Sequence, residues 1–361
     1  MTRFITSAIL VLVICCGAPT TGLCDQWKPF EHRYEYKLED VLPATKFVAK
    51  QGYWEGYRDN NLVGYVGLSK DWTKNVVGYS GKHLETLVGM DKTGTITGTK
   101  LVFHSEPIVL IGLKEESLGH FLKQYVGKSM RDSLSVGGAI SIDALTGATV
   151  TAVVENTIVL ETLRKIATQA GIMEVAKGKG RKISQAATIL TWDDLTKSGA
   201  VKNIVVTEKD LGIGGEDAYL DLFLADVTPP AIGKSLMGDV FYADIMGSLK
   251  KGETAIAVFS RGKGSFKGTG FVRGGLFDRF NIEQGTKLNM FRDKDYRVLS
   301  ELRAKGAPVI KEGGIFIIRD KDFDQTIPFK LNLVLPYRAS VTKKEFKSYS
   351  MEYGLPERFM E

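Results

Sequence analysis

The sequence predicts an α+β protein built from two domains. Its 361 residues are too many for one ordinary domain, and 43% hydrophobic with 25% charged residues is a globular composition. From Lys50 onward, short apolar stretches alternate with glycine-containing turns, which indicates antiparallel strands. The second half also carries helices, but it lacks the regular strand–helix alternation of a doubly wound sheet.

Residues 1–24 have the pattern of a secretory signal peptide. Arg3 precedes an apolar run from Ile5 to about Ala18, and small and polar residues follow. The run is shorter than the ~20 residues that a membrane span needs. Cleavage after residue 22 and cleavage after residue 24 both fit this pattern. The adjacent Cys15 and Cys16 leave a lipid anchor open as an alternative.

Composition excludes several classes of protein. All 3 cysteines (Cys15, Cys16 and Cys24) lie in the leader, so the exported chain is predicted to have no disulfide and no thiol nucleophile. The 4 histidines lack ligand-like spacing, which argues against a metal site. A net charge of +6 with interspersed signs indicates a solvated surface and no nucleic-acid partner. No apolar run beyond the leader is long enough to cross a bilayer, so the mature chain is predicted to lack a transmembrane span.

The first predicted domain covers residues 25–171. Asp91–Gly94 joins two strands as a hairpin turn, and residues 114–129 form a helix with apolar residues on one face. A loop over residues 130–149 then leads into a long helix that ends near Gly171. The apolar positions of the two helices are Leu118, Phe121, Leu122 and Tyr125, and then Val153, Val154, Ile158, Val159, Leu163 and Ile166.

Residues 172–187 form a basic, glycine-containing linker, and residues 188–361 form the second predicted domain. Its predicted helices lie within residues 191–201 and 239–252, and a turn is predicted at 229–233. Its predicted strands lie within residues 201–208, 254–262, 313–320 and 328–338, and residues 218–228 are an apolar stretch before the turn. The glycines of 261–275 do not have nucleotide-loop spacing, so this stretch is interpreted as a basic hairpin.

Small hydroxyl residues surround a glycine at the start of the long helix. A helix start carries unpaired backbone N–H groups and the positive end of the helix dipole, which together favour an anion. Gly147 lets the chain approach a ligand closely, and the hydroxyls of Thr146, Thr149 and Thr151 can donate to phosphate. An ordinary N-cap made by Asp143, Thr146 or Thr149 is the alternative.

Residues 143–151, DALTGATVT, resemble a known flavinylation motif, Asp-x-x-(Ser/Thr)-Gly-Ala-Thr. The motif belongs to the FMN-binding domain of periplasmic subunits of sodium-pumping quinone reductases and related electron-transfer complexes. The resemblance implies that Thr149 carries FMN as a phosphoester, which a separate flavin transferase installs from FAD. Asp143, Thr146, Gly147 and Ala148 are then the other motif residues, with Thr151 beside them.

A longer stretch resembles the NosR/NirI-type version of this domain. His104-Ser105-Glu106-Pro107 precedes Ile111-Gly112, as in that family, and residues 228–238, 262–279 and 292–308 are similar to the rest of its periplasmic region. The resemblance covers roughly residues 40–361. Full-length members continue into transmembrane helices and cytoplasmic iron–sulfur clusters, parts that this sequence lacks. Electron transfer across a membrane by this polypeptide alone is therefore not implied.

The resemblance implies a periplasmic electron-transfer flavoprotein. Such a protein is expected to be a component of a larger system and not a stand-alone enzyme. FMN supplies the redox chemistry, and the protein places and tunes it. The resemblance implies that the system is nitrous oxide reductase activity or maturation, or a related anaerobic respiratory chain. The implied partners are the flavin transferase and a membrane-bound or periplasmic redox protein. The alternative is a non-redox regulatory or assembly module that acts through protein contacts of its second domain.

Five further residues are candidates for the surroundings of the flavin: Tyr79, Ser80, Lys82, His104 and Glu106. Each rests on the resemblance and on its polar or aromatic type. Simpler roles stay open for them. Tyr79 could pack against a strand, Lys82 could be a solvated turn residue, and His104 could hydrogen-bond the backbone of Glu106.

Overall fold

The computed structural model describes residues 31–107, 114, 116–132, 134–136, 140–142, 148–176, 178, 180–338 and 344–361. Its content of 24% helix and 35% strand, arranged in curled antiparallel sheets, confirms the α+β prediction. The predicted leader, the motif residues Asp143, Thr146 and Gly147, and the pair Ile111-Gly112 lie outside these residues. Within them, no helix combines the length and apolarity needed to cross a bilayer.

The first part of the chain is a six-stranded antiparallel sheet with the order β1-β6-β5-β4-β3-β2. Its strands are β1 (His32–Arg33), β2 (Lys46–Ala49), β3 (Tyr53–Arg58), β4 (Asn61–Leu68), β5 (Glu85–Asp91) and β6 (Ile96–His104). The predicted hairpin is confirmed, because Asp91 Oδ1 accepts from the backbone N–H groups of Thr93 at 2.8 Å and Thr95 at 3.0 Å. Gly94 completes the turn with φ 92°.

Two helices cover this sheet. They are α1 (Glu116–Lys123) and α2 (Thr149–Gln169). Both predicted apolar faces are buried in the core, and Gly171, with φ 76°, follows the end of α2 as predicted. The predicted loop between the helices is only partly right. It contains β7 (Leu134–Val136) and β8 (Ile140–Ile142), which pair in parallel.

The second part of the chain contains two antiparallel sheets and four helices. The helices are α3 (Trp192–Lys197), α4 (Pro230–Met237), α5 (Asp239–Ser248) and α6 (Gly268–Gly274). The strands are β9 (Lys202–Thr207), β10 (Ala218–Asp226), β11 (Thr254–Arg261), β12 (Phe280–Gln284), β13 (Lys287–Asn289), β14 (Tyr296–Val298), β15 (Glu312–Ile318), β16 (Phe329–Arg338) and β17 (Lys344–Tyr353). They form sheets with the orders β14-β15-β11-β10-β9 and β13-β12-β16-β17.

The core of this second part has two layers. The side chains of β10 and β11 that point to one side pack against the four-stranded sheet, in a cluster rich in phenylalanine. The side chains that point to the other side, such as Phe223 and Phe259, pack against α3, α4 and α5. Strands with two buried faces read as continuous apolar runs, which explains why β11 was predictable and why the stretch that contains β10 is apolar.

Two predictions in this part were wrong. The predicted turn at 229–233 lies in α4, because Pro230 occupies the first helical position, where its missing N–H costs nothing. The predicted hairpin at 261–275 contains α6. There the Asp278 carboxylate accepts from the backbone N–H of Gly270 at 3.1 Å, and Gly275 ends the helix with φ 66°.

The second part packs against α2 along the length of that helix. Arg164 of α2 forms an ion pair with Glu283 of β12 at 2.9 Å. Nearer the start of the helix, the Thr157 hydroxyl lies 3.5 Å from the sulfur of Met290. Leu288, between these two contacts, is buried in the core of the first part. The segment from β12 to Met290 therefore runs alongside α2 towards its first turn.

Candidate cofactor site at the start of α2

The helix α2 begins at Thr149, the last threonine of the predicted motif. The residue before it, Ala148, is buried and has no side-chain oxygen with which to cap the helix. The first turn carries no acidic side chain. Its backbone N–H groups have no partner inside the helix, so this end is suited to an anionic oxygen. A helix start of this kind fits the phosphate of a nucleotide cofactor.

The Glu106 carboxylate links the first turn of α2 to the loop after β4. It is buried and accepts three hydrogen bonds: from the Tyr79 N–H at 3.1 Å, the Ser80 N–H at 3.1 Å and the Thr151 hydroxyl at 2.8 Å. Three donors compensate for removing a carboxylate from water. Gly78 is required beside it, because a Cβ atom there would lie 2.2 Å from Glu106 Oε1.

His104 orients the backbone of this cluster. The Glu106 N–H donates to Nδ1 of the His104 ring at 3.2 Å, so Nδ1 acts as the acceptor and the neutral ring carries its proton on Nε2. Nε2 faces the Tyr34 hydroxyl at 3.4 Å, and the ring stacks on His32 with centroids 4.9 Å apart. The simpler role expected for His104, a hydrogen bond to the Glu106 backbone, is therefore present. Its predicted place beside a flavin stays a prediction.

The remaining candidates occupy the loop at 78–82. The Lys82 ammonium forms an ion pair with Glu31 at 2.5 Å on the exposed surface. Tyr79 faces the second part of the chain, since a Cβ atom on Gly274 of α6 would lie 3.4 Å from its ring. Of the predicted residues, Tyr79, Ser80, His104, Glu106 and Thr151 thus meet at the start of α2. The Lys82 side chain pairs at the edge of the same loop.

Sequence reasoning missed a buried carboxyl one turn further along α2. Thr151 and Glu155 lie four residues apart and share a helix face. Glu155 is fully buried, and its two oxygens lie 3.0 and 3.2 Å from the Thr86 hydroxyl. Burial raises the pKa of Glu155 to about 8, and the neighbouring Glu106 charge acts in the same direction. The available signal was a carboxyl on an otherwise apolar helix face.

Arg292 was also missed. Its guanidinium donates from Nη2 to the Gly78 carbonyl oxygen at 2.8 Å, so the second part of the chain reaches the loop that holds Glu106. The two residues are 214 positions apart, and nothing in the local sequence around either one predicts the contact.

A cleft of about 950 Å³ adjoins the site, between the loop at 71–77, α2 and residues 287–295. Val76, Leu276 and Met290 line it and belong to the same apolar cluster as Val150 in the first turn of α2. Its size falls within the range of small-molecule sites. Three ion pairs lie among the residues that line it: Lys165 with Glu161 at 2.6 Å, Lys287 with Asp320 at 2.5 Å, and Arg319 with Asp295 at 2.6 Å.

No group of three or more histidine, cysteine, aspartate or glutamate side chains is placed to hold a metal ion in the described part of the chain. The donors that remain for a ligand at the start of α2 are the backbone amides of its first turn, which bind phosphate oxygens. The Thr151 hydroxyl and the Tyr79 and Ser80 amides already donate to Glu106.

Known proteins resemble the chain over nearly its whole length. Over 94% of its own residues, this chain is 32% identical to the regulatory protein NosR of Pseudomonas aeruginosa. It is 32% identical to NosR of Stutzerimonas stutzeri over 91% of its residues, and 29% identical to the protein NirI of Paracoccus denitrificans over 73%. This chain is a NosR/NirI-type protein.

The NosR/NirI-type resemblance inferred from the motifs is thus confirmed. The chain spans about half the length of the two NosR proteins, 52% and 49%, and 39% of NirI. No protein-family model matches the chain. The relatedness of this NosR/NirI-type chain therefore rests on whole-chain similarity to individual proteins.

Proposed function

We propose that Thr149 carries FMN as a phosphoester, installed from FAD by a flavin transferase. The observation that supports this proposal most directly is that α2 begins at the last threonine of a complete flavinylation motif. A phosphate attached there meets the unpaired N–H groups and the positive end of a 21-residue helix. The bound FMN supplies one- and two-electron redox chemistry.

The hydrogen bonds of the site also distinguish Thr149 from Thr151 as possible attachment sites. Thr151 is 3% exposed and its hydroxyl donates to Glu106 at 2.8 Å, so a transferase cannot reach it without breaking a buried hydrogen bond. This arrangement supports attachment at Thr149 over attachment at Thr151. Ala148, Tyr79, His104 and Glu106 then shape the surroundings of the attachment point, and the motif residues Asp143, Thr146 and Gly147 precede it in the chain.

The proposed role is electron transfer in the periplasm for a denitrification-related system, such as nitrous oxide reductase activity or maturation. Relatedness to NosR and NirI supports the system, and the signal-peptide pattern of residues 1–24 supports export. The proposed partners are the flavin transferase and a membrane-bound or periplasmic redox protein. Covalent attachment prevents loss of a small cofactor outside the cytoplasm.

The test is export of the chain in cells that contain a flavin transferase, followed by intact-mass measurement, peptide mapping across residues 141–165 and flavin fluorescence on a denaturing gel. Thr149→Ala is expected to abolish the covalent flavin, and Thr149→Ser is expected to keep it because the hydroxyl remains. Thr168→Ala, which removes a hydroxyl that donates to the Arg164 carbonyl at 2.9 Å near the other end of the same helix, is the matched control and should retain the label. A Thr149→Ala band as fluorescent as the wild-type band would contradict the assignment.

A second candidate function is regulation or assembly through protein contacts, without redox chemistry. It is favoured by the name of two relatives, regulatory protein NosR, and by Val272 of α6, which is 82% exposed. Full complementation of a deletion strain by Thr149→Ala, with no flavin bound, would support this candidate against the first.

A further inference from the structure

Arg292 reaches across from the second part of the chain to the loop that holds Glu106. Its Nη2 donates to the Gly78 carbonyl oxygen at 2.8 Å and lies 3.5 Å from the Val77 carbonyl oxygen. The contact is charge-assisted and partly buried, so it is stronger than a neutral hydrogen bond on the surface.

The backbone of Arg292 is fixed on its own side. Its N–H donates to the Asp295 carboxylate at 3.1 Å, and Asp295 is itself held by Arg319 at 2.6 Å. The backbone of Arg292 also forms an isolated antiparallel β-bridge with the backbone of Leu276. The fixed backbone holds the base of the side chain beside the loop, so binding orders only the side-chain torsions. This Arg292 contact acts as a clamp on the loop.

The clamp acts on one planar peptide group. The carbonyl of Gly78 and the N–H of Tyr79 belong to the same peptide, and in a trans peptide they point in opposite directions. Arg292 binds the carbonyl, and the Glu106 carboxylate accepts from the N–H at 3.1 Å. The Gly78 carbonyl also accepts from the Gly81 N–H at 3.0 Å, so rotation of this peptide would break three bonds. The two ionic partners also polarise the peptide in the same sense, which strengthens each bond.

Glu106 passes this constraint to α2. The oxygen that accepts from Tyr79, Oε2, also accepts from the Thr151 hydroxyl at 2.8 Å. A fixed Glu106 therefore fixes Thr151, two residues after Thr149. The path from Arg292 to the first turn of α2 consists of one peptide group and one carboxylate.

We propose that Arg292 is a positioning residue for the flavin acceptor: from the second part of the chain, it sets the Gly78–Tyr79 peptide, and through Glu106 and Thr151 the first turn of α2. The inference rests on the proposed attachment of FMN to Thr149. It predicts that this first turn reaches its working geometry only after both parts of the chain have folded together.

The first arm of the test needs no flavin. Amide hydrogen exchange is measured on peptides covering residues 77–84 and 148–153 in the Thr149→Ala background. Arg292→Ala is expected to accelerate exchange of the Tyr79 and Ser80 amides roughly tenfold, the effect of losing one charge-assisted hydrogen bond. Arg292→Lys, which keeps a donor and the charge, should restore part of the protection.

Two variants serve as controls. Arg297→Ala removes an exposed arginine whose guanidinium contact is the Tyr296 carbonyl of its own strand. Glu283→Gln weakens the Arg164 ion pair between the two parts of the chain, far along α2 from the motif. Both should leave exchange at 79–80 unchanged, even where Glu283→Gln lowers the melting temperature.

The second arm measures the fraction of chains that carry flavin and the reduction potential of that flavin, with Thr149 intact. Arg292→Ala should change the flavin content, the reduction potential or both, and Arg292→Lys should bring the changed quantity back towards the wild-type value. Unchanged exchange at 79–80 in Arg292→Ala would overturn the proposal. Faster exchange with wild-type flavin content and potential would overturn positioning of the acceptor. Absence of flavin from the wild-type chain would overturn the proposed function and this inference with it. The amide hydrogen exchange experiment would still show in that case whether Arg292 holds the loop.

Discussion

Thr86 and Glu155 meet in the core beneath the start of α2. The Thr86 hydroxyl lies 3.0 and 3.2 Å from the two carboxyl oxygens, while the Thr86 N–H donates to the Ser69 hydroxyl at 2.8 Å. A hydroxyl has one proton to donate. Burial raises the pKa of Glu155 to about 8, so the carboxyl carries a proton at neutral pH and can donate one of these two bonds itself.

Glu155 should make the stability of the fold depend on pH. Because the pKa is raised from 4.5 to about 8 in the folded state, the unfolded chain loses this proton first. The stabilisation is complete below about pH 4.5 and is lost as the pH rises to about 8, with a slope of about 1.4 kcal/mol per pH unit. Glu155→Gln should remove this slope, which urea unfolding at pH 5, 7 and 9 would measure.

The control for this prediction is Glu39→Gln, a change at an exposed glutamate of the same part of the chain. It should leave the pH profile as in wild type. Equal slopes for the wild type and Glu155→Gln between pH 5 and pH 8 would show that Glu155 is already ionised in the folded state.

Asp226 should give a second, independent pH dependence. It is fully buried at the end of β10, where one oxygen accepts from the Thr228 N–H at 2.9 Å and the other, Oδ2, has no hydrogen-bond partner among the described residues. Burial raises its pKa from 3.8 to about 7. The stabilisation is therefore present below about pH 3.8 and is lost as the pH rises through 7. Asp226→Asn should flatten the unfolding free energy over that window.

Asp226 and Glu155 lie in different parts of the chain and share no hydrogen-bond partner. The effects of Asp226→Asn and Glu155→Gln on the pH slope should therefore add in the double variant. A double variant with the slope of either single variant would mean that one carboxyl dominates the titration.

Gly78→Ala should disturb the site without touching the acceptor. The new Cβ would lie 2.2 Å from Glu106 Oε1, so the carboxylate or the loop must move and the bonds to Tyr79 and Ser80 must weaken. We expect a loss of about 1–3 kcal/mol of unfolding free energy, measured by urea denaturation. Covalent flavin content should fall at the same time.

The matched control is Gly119→Ala in α1, where nothing lies within 4 Å of the added Cβ. Alanine favours a helix over glycine, so this variant should be neutral or more stable by up to about 1 kcal/mol. If Gly78→Ala proved as harmless as Gly119→Ala, the close packing of Gly78 against Glu106 would be refuted.

Removal of Arg164 should loosen the second part of the chain from α2. Its guanidinium, 6% exposed, pairs with Glu283 at 2.9 Å and donates from Nε to the Met130 carbonyl at 3.2 Å. Arg164→Met leaves Glu283 without this partner and should cost about 3 kcal/mol of unfolding free energy. Glu283→Gln in the same chain should recover part of the loss. Failure of the double variant to recover stability would mean that the Met130 contact matters more than the ion pair.

Local signals allowed much of the fold to be predicted. The hairpin at Asp91 was predictable because the carboxylate and both amides that it binds lie within five residues. The end of α2 was predictable because a glycine with positive φ follows it. In contrast, α6 depends on Asp278, which lies beyond the helix that it caps, and a glycine-rich stretch gives no helical signal of its own.

The residues of the candidate site also fall into two groups, those with a local sequence signal and those without one. Glu106 and His104 were predicted because residues 104–107 resemble a segment of the NosR/NirI-type family, and the structure brings them to the start of α2. Arg292 was not predicted because its partner, the Gly78 carbonyl, is a backbone atom 214 positions away. A contact between a side chain and a distant main-chain atom leaves no residue pattern at either end.

The stretch that joins the two parts of the chain is bonded to the last residues. Lys182 and Glu361 exchange two backbone hydrogen bonds, and Arg181 pairs with Glu357, 176 positions away. Closing so long a loop is entropically slow, so these partners come together late in folding. Until residues 357–361 dock, residues around 180–184 present an extended, cleavable backbone. A protease added to the partly folded chain should therefore cut there first, and resistance at this site would report that residues 357–361 have docked.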